Sequence, residues 1–257
     1  MNILAIGDIV GAIGCRFLRE KLPALKKEES IDLVIANGEN SADGNGITPS
    51  SAEFIFSSGV DVITAGNHTF RRKESYDTFD RNPFLIRPAN FPEGTTPGKG
   101  WTVFDMGRYQ VGVINLMGCL FMDALDDPYR VVEGILKQIG TKITVIDFHG
   151  EATAEKLAMA YYLDGRISAF FGTHTHVQTS DERILPKGTG YITDVGMTGP
   201  YESVLGVKPE LAIKSFREKL PVRFEVGHGK CRLDCIKFTV DEKSGKTLAV
   251  KRIEICG

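Results

Sequence analysis

The stretch LVIANGEN, residues 33–40, is an apolar run that stops at a carboxylate and its neighbouring amides, and four other runs end in the same manner. ILAIG precedes Asp8, DVITAG precedes Asn67 and His68, ITVIDF precedes His149, and ISAFFG lies shortly before His174 and His176. Short apolar runs bounded by turn residues read as buried strands. Open α/β sheets bind ligands in the crevice at the carboxyl ends of their strands, so donors carried there by separate strands meet in space. Carboxylates, amides and imidazoles in this number suffice for two metal ions.

Working outward, residues 1 to about 90 repeat apolar strand, polar turn and helical stretch. Met1–Ile6, Ile31–Ala36 and Val60–Ala65 read as strands. Arg16–Lys27 reads as a helix with Phe17, Leu18, Leu22 and Leu25 on one side. Thr48 before Pro49 gives the N-cap and first-turn signature of a helix through about Ser58, ended by Gly59. Strands separated by such helices imply parallel βαβ units. Further on, Trp101–Asp105 and Gln110–Leu116 flank a tight turn and predict an antiparallel pair. Helices at Pro128–Ile139 and Glu151–Leu163 alternate with strands at Ile143–Phe148 and Ile167–Phe171. A last helix at Pro209–Leu220 precedes strands at Val222–Val226, Arg232–Val240 and Thr247–Ile255. No Pro/Gly/Ser-rich linker divides the chain, and candidate ligands come from both its first third and its middle. The expectation is one domain over residues 1–257, α/β in class: a four-layer α-β-β-α sandwich of two mixed sheets.

A formal net charge of −2 gives no field that would gather nucleic acid or an anionic membrane, although a nucleotide can still bind locally. RNA as a partner is therefore unsupported by charge. Apolar segments fall short of the ~18 residues that span a bilayer, and no basic leader precedes Asp8. Five dispersed cysteines do not form the dense framework of a secreted domain. The expected location is the cytoplasm.

Two ions about 3.5–4 Å apart can share a carboxylate and hold a hydroxide aimed at phosphorus. Asp8 and Glu39 supply the charge, with Glu39 as the bridge; Asn40 and Asn67 offer amide oxygens, and His149, His174 and His176 offer imidazoles. His68, adjacent to Asn67, is then available as the acid that protonates a leaving oxygen. If the strand continues through Gly172-Thr-His-Thr-His176, residues two apart share a face and both imidazoles point to one site.

The motifs Gly7-Asp-Ile-Val-Gly11, Asn37-Gly-Glu-Asn40, Gly66-Asn-His68, His149-Gly-Glu151 and Gly172-Thr-His-Thr-His176 resemble the calcineurin-like metallophosphoesterases, and more closely their bacterial YmdB-like branch. The likeness runs in order to about residue 200 and includes Tyr191–Pro200. Val10 stands where the wider superfamily has a histidine, Glu39 where it has aspartate, and Thr69 where an acid often follows; these are the branch's variants. The resemblance implies one ion on Asp8, Glu39, Asn40 and His176 and another on Glu39, Asn67, His149 and His174. It further implies iron or manganese, divalent or mixed-valence, a cyclic nucleotide or other phosphodiester as substrate, a catalytic His68, and a homodimer or homotetramer.

Plainer readings apply to other residues. Asn40 also suits a turn that closes on its own backbone. Asp147 and Glu151 flank His149 and either orient it or are solvated acids. Arg71, Arg72 and Lys73 read as a solvated face. His228, Cys231 and Cys235 lack a fourth zinc ligand; Cys231, Leu233 and Cys235 share an inward face while Arg232 and Asp234 alternate outward. Ile9 occupies the position of a Gly-Asp-Ser nucleophile, which removes a serine hydrolase. A phosphomonoesterase such as a nucleotidase, and a nucleotide- or RNA-binding regulator with little turnover, remain as alternatives.

Overall fold

Along Asn2–Ile6, the first strand, Ile3 and Ala5 point to one face and Leu4 and Ile6 to the other, yet all four are fully buried. A strand with no solvent on either side requires a sheet covered on both faces. The computed structural model, which describes residues 1–257, shows how this is met. In chain order its elements are β1 (Asn2–Ile6), β2 (Asp8–Ile9), α1 (Gly11–Glu28), β3 (Leu33–Asn37), α2 (Pro49–Ser57), β4 (Val62–Thr64) and α3 (Tyr76–Arg81). There follow β5 (Trp101–Asp105), β6 (Gln110–Met117), α4 (Pro128–Leu136), β7 (Ile143–His149), α5 (Thr153–Leu163) and β8 (Ala169–Thr173). The last are β9 (Arg183–Ile184), β10 (Gly190–Ile192), β11 (Met197–Pro200), α6 (Pro209–Glu218), β12 (Cys231–Val240) and β13 (Thr247–Cys256).

One sheet runs β2-β11-β12-β1-β3-β4, with β13 also on β12, and the other runs β5-β6-β7-β8-β10-β9. Both are mixed: β1, β3 and β4 are parallel while β12 is antiparallel to β1; β6, β7 and β8 are parallel while β5 is antiparallel. Ile3, Ala5, Leu33 and Ile35 meet Val111, Val113, Val145 and Phe171 between the sheets. Leu4, Ile6, Val34 and Ala36 pack outward on Leu18 and Leu22 of α1 and Ile55 of α2. On the far side, Ile146, Phe148 and Phe170 pack on Val132 of α4 and Met159 and Leu163 of α5. This is the expected α-β-β-α order. No helix is long and apolar enough to cross a membrane.

The differences are local. Helix α1 begins at Gly11, ahead of the expected Arg16, because a distant loop caps it: Gly11 N–H donates to Asn40 O at 2.8 Å and Ala12 N–H to Asp43 Oδ1 at 3.1 Å. Val222–Val226 is not a strand; it follows Pro221, Arg223 to Glu225 are exposed, and only Val226 pairs, in an isolated bridge to Val207. Asp234 does not face outward as the alternation suggested. The face opposite Cys231, Leu233 and Cys235 is the one that looks toward the second sheet, so Asp234 is fully buried beside Arg232 and accepts the Met197 N–H at 3.2 Å. Cys231, Leu233 and Cys235 themselves lie in the apolar layer under the helices, as expected.

Burial pushes the Asp234 carboxyl up to about 6 against the opposing pull of Arg232. A carboxyl that holds its proton more tightly when folded contributes full stability below its unfolded pKa, ~3.9, and loses it as pH rises through the folded value. Asp234→Asn should therefore match the native chain near pH 4 and exceed it by about 1–3 kcal/mol at pH 7.5, as measured by urea unfolding at both pH values. Equal stability at pH 7.5 would contradict the assignment.

Candidate metal centre

The carboxyl ends of β1, β3 and β4 in one sheet and of β7 and β8 in the other open on a common space. Asp8 follows β1 after Gly7, Glu39 and Asn40 follow β3, Asn67 and His68 follow β4, His149 is the last residue of β7, and His174 and His176 follow β8. Two groups of donors result. In one, His149 Nε2 lies 3.0 Å from Asn67 Oδ1, 3.0 Å from His174 Nδ1 and 3.3 Å from Glu39 Oε1. In the other, Asn40 Nδ2 lies 3.4 Å from Asp8 Oδ1, 3.3 Å from Glu39 Oε1 and 3.3 Å from His176 Nε2, with His176 Nε2 3.6 Å from Asp8 Oδ1. Glu39 Oε1 borders both groups. Its Oε2 accepts the His68 N–H at 2.8 Å, which fixes the carboxylate plane. Donor atoms around a tetrahedral ion with bonds of about 2.1 Å sit roughly 3.4 Å apart, so the first group has the spacing and the mixed N/O character of a metal site.

Each of the three imidazoles has its remote nitrogen held by an acceptor. His149 Nδ1 faces Thr173 Oγ1 at 2.9 Å, and that hydroxyl donates to Asp147 Oδ1 at 2.7 Å. His174 Nε2 faces Glu151 Oε2 at 3.1 Å, and His176 Nδ1 faces Leu205 O at 2.9 Å. With its proton on the remote nitrogen, each ring turns a lone pair inward, the arrangement that metal-ligating histidines use.

Charge inside the cluster is tightly coupled. Burial works to raise the Asp8 and Glu39 carboxyls, but His176 beside Asp8 and His149 beside Glu39 outweigh it, holding Asp8 below and Glu39 well below the carboxylate range. Burial works to lower His176, yet Asp8 lifts it to about 9. Burial and the neighbouring His149 lower His174. Asp147, fully buried under Thr64 and Thr173, is pushed up by burial to about 7.

The seven proposed ligands are thus brought together, although not always by the expected route. The strand does not continue through His176: β8 ends at Thr173, and His174 and His176 have φ of +101° and +61°. A turn, and not strand alternation, aims both rings inward. Asn40 Oδ1 is occupied by His68 Nδ1 at 2.9 Å, so its Nδ2 faces the carboxylates; a half-turn about χ2 would exchange the two atoms. His68 Nε2 makes no hydrogen bond within the chain. Arg72 is spent on the backbone oxygens of Asp43 and Asn45, at 2.6 and 3.1 Å. Thr173, Leu205 and Asn37, whose Nδ2 donates to Asp147 Oδ2 at 3.3 Å, were not anticipated as partners of the site; Asp147 shares a strand face with His149, which is the signal that points to it.

Gly66 leaves room for the cluster. A Cβ there would lie 2.3 Å from the His149 ring and 2.4 Å from Glu39 Oε2. Gly66→Ala should give a folded chain whose Mn²⁺ affinity is at least ~10-fold weaker, the scale seen when groups that orient metal ligands are disturbed. Metal per chain after equilibrium dialysis measures this, and unchanged content would show that the ring moves aside freely.

The protein family described as YmdB-like protein matches residues 4–253. The 2',3'-cyclic-nucleotide 2'-phosphodiesterase of Bacillus subtilis (strain 168) is 49% identical over 257 residues, covering 99% of this chain and 97% of that protein. A solved structure of a hypothetical protein from Thermus thermophilus superposes with a TM-score of 0.95 at 39% identity, covering 100% of this chain and 99% of that one. A phosphatase of Mycoplasma pneumoniae also superposes with a TM-score of 0.95, at 34% identity, covering 100% of this chain and 93% of that one.

Proposed function

The chain belongs to the YmdB-like protein family, and from that membership we propose that it is a metal-dependent phosphodiesterase that hydrolyses a 2',3'-cyclic nucleotide or a related phosphodiester with two transition-metal ions, iron or manganese. The observation that carries this reading is the convergence of three imidazole nitrogens, each ring held from behind by an acceptor, on two fully buried carboxylates. Asp8, Glu39, Asn40 and His176 would hold one ion, and Glu39, Asn67, His149 and His174 the other. When bound, such ions neutralise phosphoryl charge and make water a nucleophile at neutral pH.

The chain's own residues supply the rest. His68 Nδ1 lies 3.2 Å from Glu39 Oε1, which can accept its N–H whichever way the Asn40 amide is turned, so His68 Nε2 is the atom from which a proton would pass to the leaving oxygen. No lysine or arginine bonds to the seven proposed ligands, and Arg72 is already committed to backbone. A diester monoanion suits such a site better than a monoester dianion, although the Mycoplasma relative's description as a phosphatase makes the monoesterase the second reading.

With metal-loaded protein, bis(4-nitrophenyl) phosphate and a 2',3'-cyclic nucleotide should be hydrolysed faster than 4-nitrophenyl phosphate. His68→Ala should lower kcat by about 10²–10⁴-fold with bound metal unchanged. Asn67→Ala should lower metal content and activity together. Preference for the monoester would replace the diesterase reading with the phosphatase one, and turnover that ignores metal removal would sink both.

A further inference from the structure

We propose that the buried ion pair of Lys156 and Asp194 positions the candidate metal centre, by fixing the turn that carries His174 and His176 and the turn that abuts Asp8; this rests on the metal reading above. Lys156 is the only lysine among the buried residues, on the face of α5 that packs against the second sheet. A buried charge of this kind adds little net stability over an apolar side chain of similar size, so its value lies in what its hydrogen bonds specify. Its Nζ donates to Thr173 O at 2.9 Å and to Asp194 Oδ2 at 2.8 Å. The same Oδ2 accepts the Thr175 N–H at 3.1 Å, and Oδ1 accepts the Gly196 N–H at 2.9 Å.

These bonds bracket the site. Thr173 O and Thr175 N flank His174, whose positive φ, like that of His176, is one that non-glycine residues hold only where the surroundings over-determine it. Gly196 O in turn accepts the Asp8 N–H at 3.1 Å, and the His174 N–H donates to Asp8 Oδ2 at 3.0 Å. One ammonium and one carboxylate thereby connect a helix of the outer layer to backbone on both sides of the cluster. Gly172 fits the same account: a Cβ there would lie 2.8 Å from Lys156 Cδ and 1.8 Å from Thr193 O, so a side chain would displace the lysine.

Lys156→Met alone strands a buried carboxylate and risks unfolding; Lys156→Met with Asp194→Asn removes both charges at nearly constant volume. In the pair, the amide introduced at position 194 offers one acceptor oxygen where the carboxylate offered two, and turns an N–H₂ group against the Thr175 or Gly196 amide. Folding is checked by circular dichroism and thermal melting. Metal binding is then read by isothermal titration with Mn²⁺ and by the visible spectrum of the Co²⁺ form. The expected result is a folded double variant that binds Mn²⁺ about 10–100-fold more weakly, with an altered Co²⁺ spectrum. Native Mn²⁺ affinity and spectrum in the folded double variant would overturn this proposal alone, whereas absence of uptake by the unaltered chain would overturn the metal reading and this one with it. Should the double variant not accumulate folded, the isosteric Asp194→Asn is judged by the same criteria.

Discussion

Two sheets packed face to face and covered by helices leave polar chemistry almost nowhere to go except the ends of the strands. β3, β7 and β8 are buried along their length, as is β1 beyond Asn2, so most of their side chains are consumed by packing. Donors can gather only where the chain leaves the sheets, and because strands of both sheets end at the same side, the two sets meet over the seam. The inter-sheet apolar layer, Ile3 and Leu33 against Val113 and Val145, therefore holds the site together as well as the fold.

That location carries an electrostatic cost. Asp8, Glu39 and Asp147 are all fully buried, and carboxylates so removed from water need compensation. The imidazoles provide it: Asp8 lifts His176 to about 9, and His149 holds Glu39 well below the carboxylate range. Asp147 lies one hydroxyl further out and has no such partner in contact, so burial wins there.

The layered fold is legible in the sequence because apolar runs and their spacing respond to burial, and burial dominates the strands. The donors are legible because each interrupts such a run. What escapes such a reading is long-range: the cap on α1 comes from Asn40 and Asp43, and the face of Asp234 is decided by a sheet whose strands lie elsewhere in sequence. The turn at His174 and His176 reads as strand because period-two spacing is the same in both, and only the backbone torsions separate them.

The pairing of β1 with β12 brings residue 2 beside residue 239, and the Met1 ammonium rests on Val240 O. A ribosome making this chain would release β3 and β4 to join β1 long before β11 and β12 emerge. Asp8 takes its backbone partner, Gly196 O, from the late part. The backbone support of Asp8 is therefore complete only once the chain has reached Gly196, well after β1, β3 and β4 can pair.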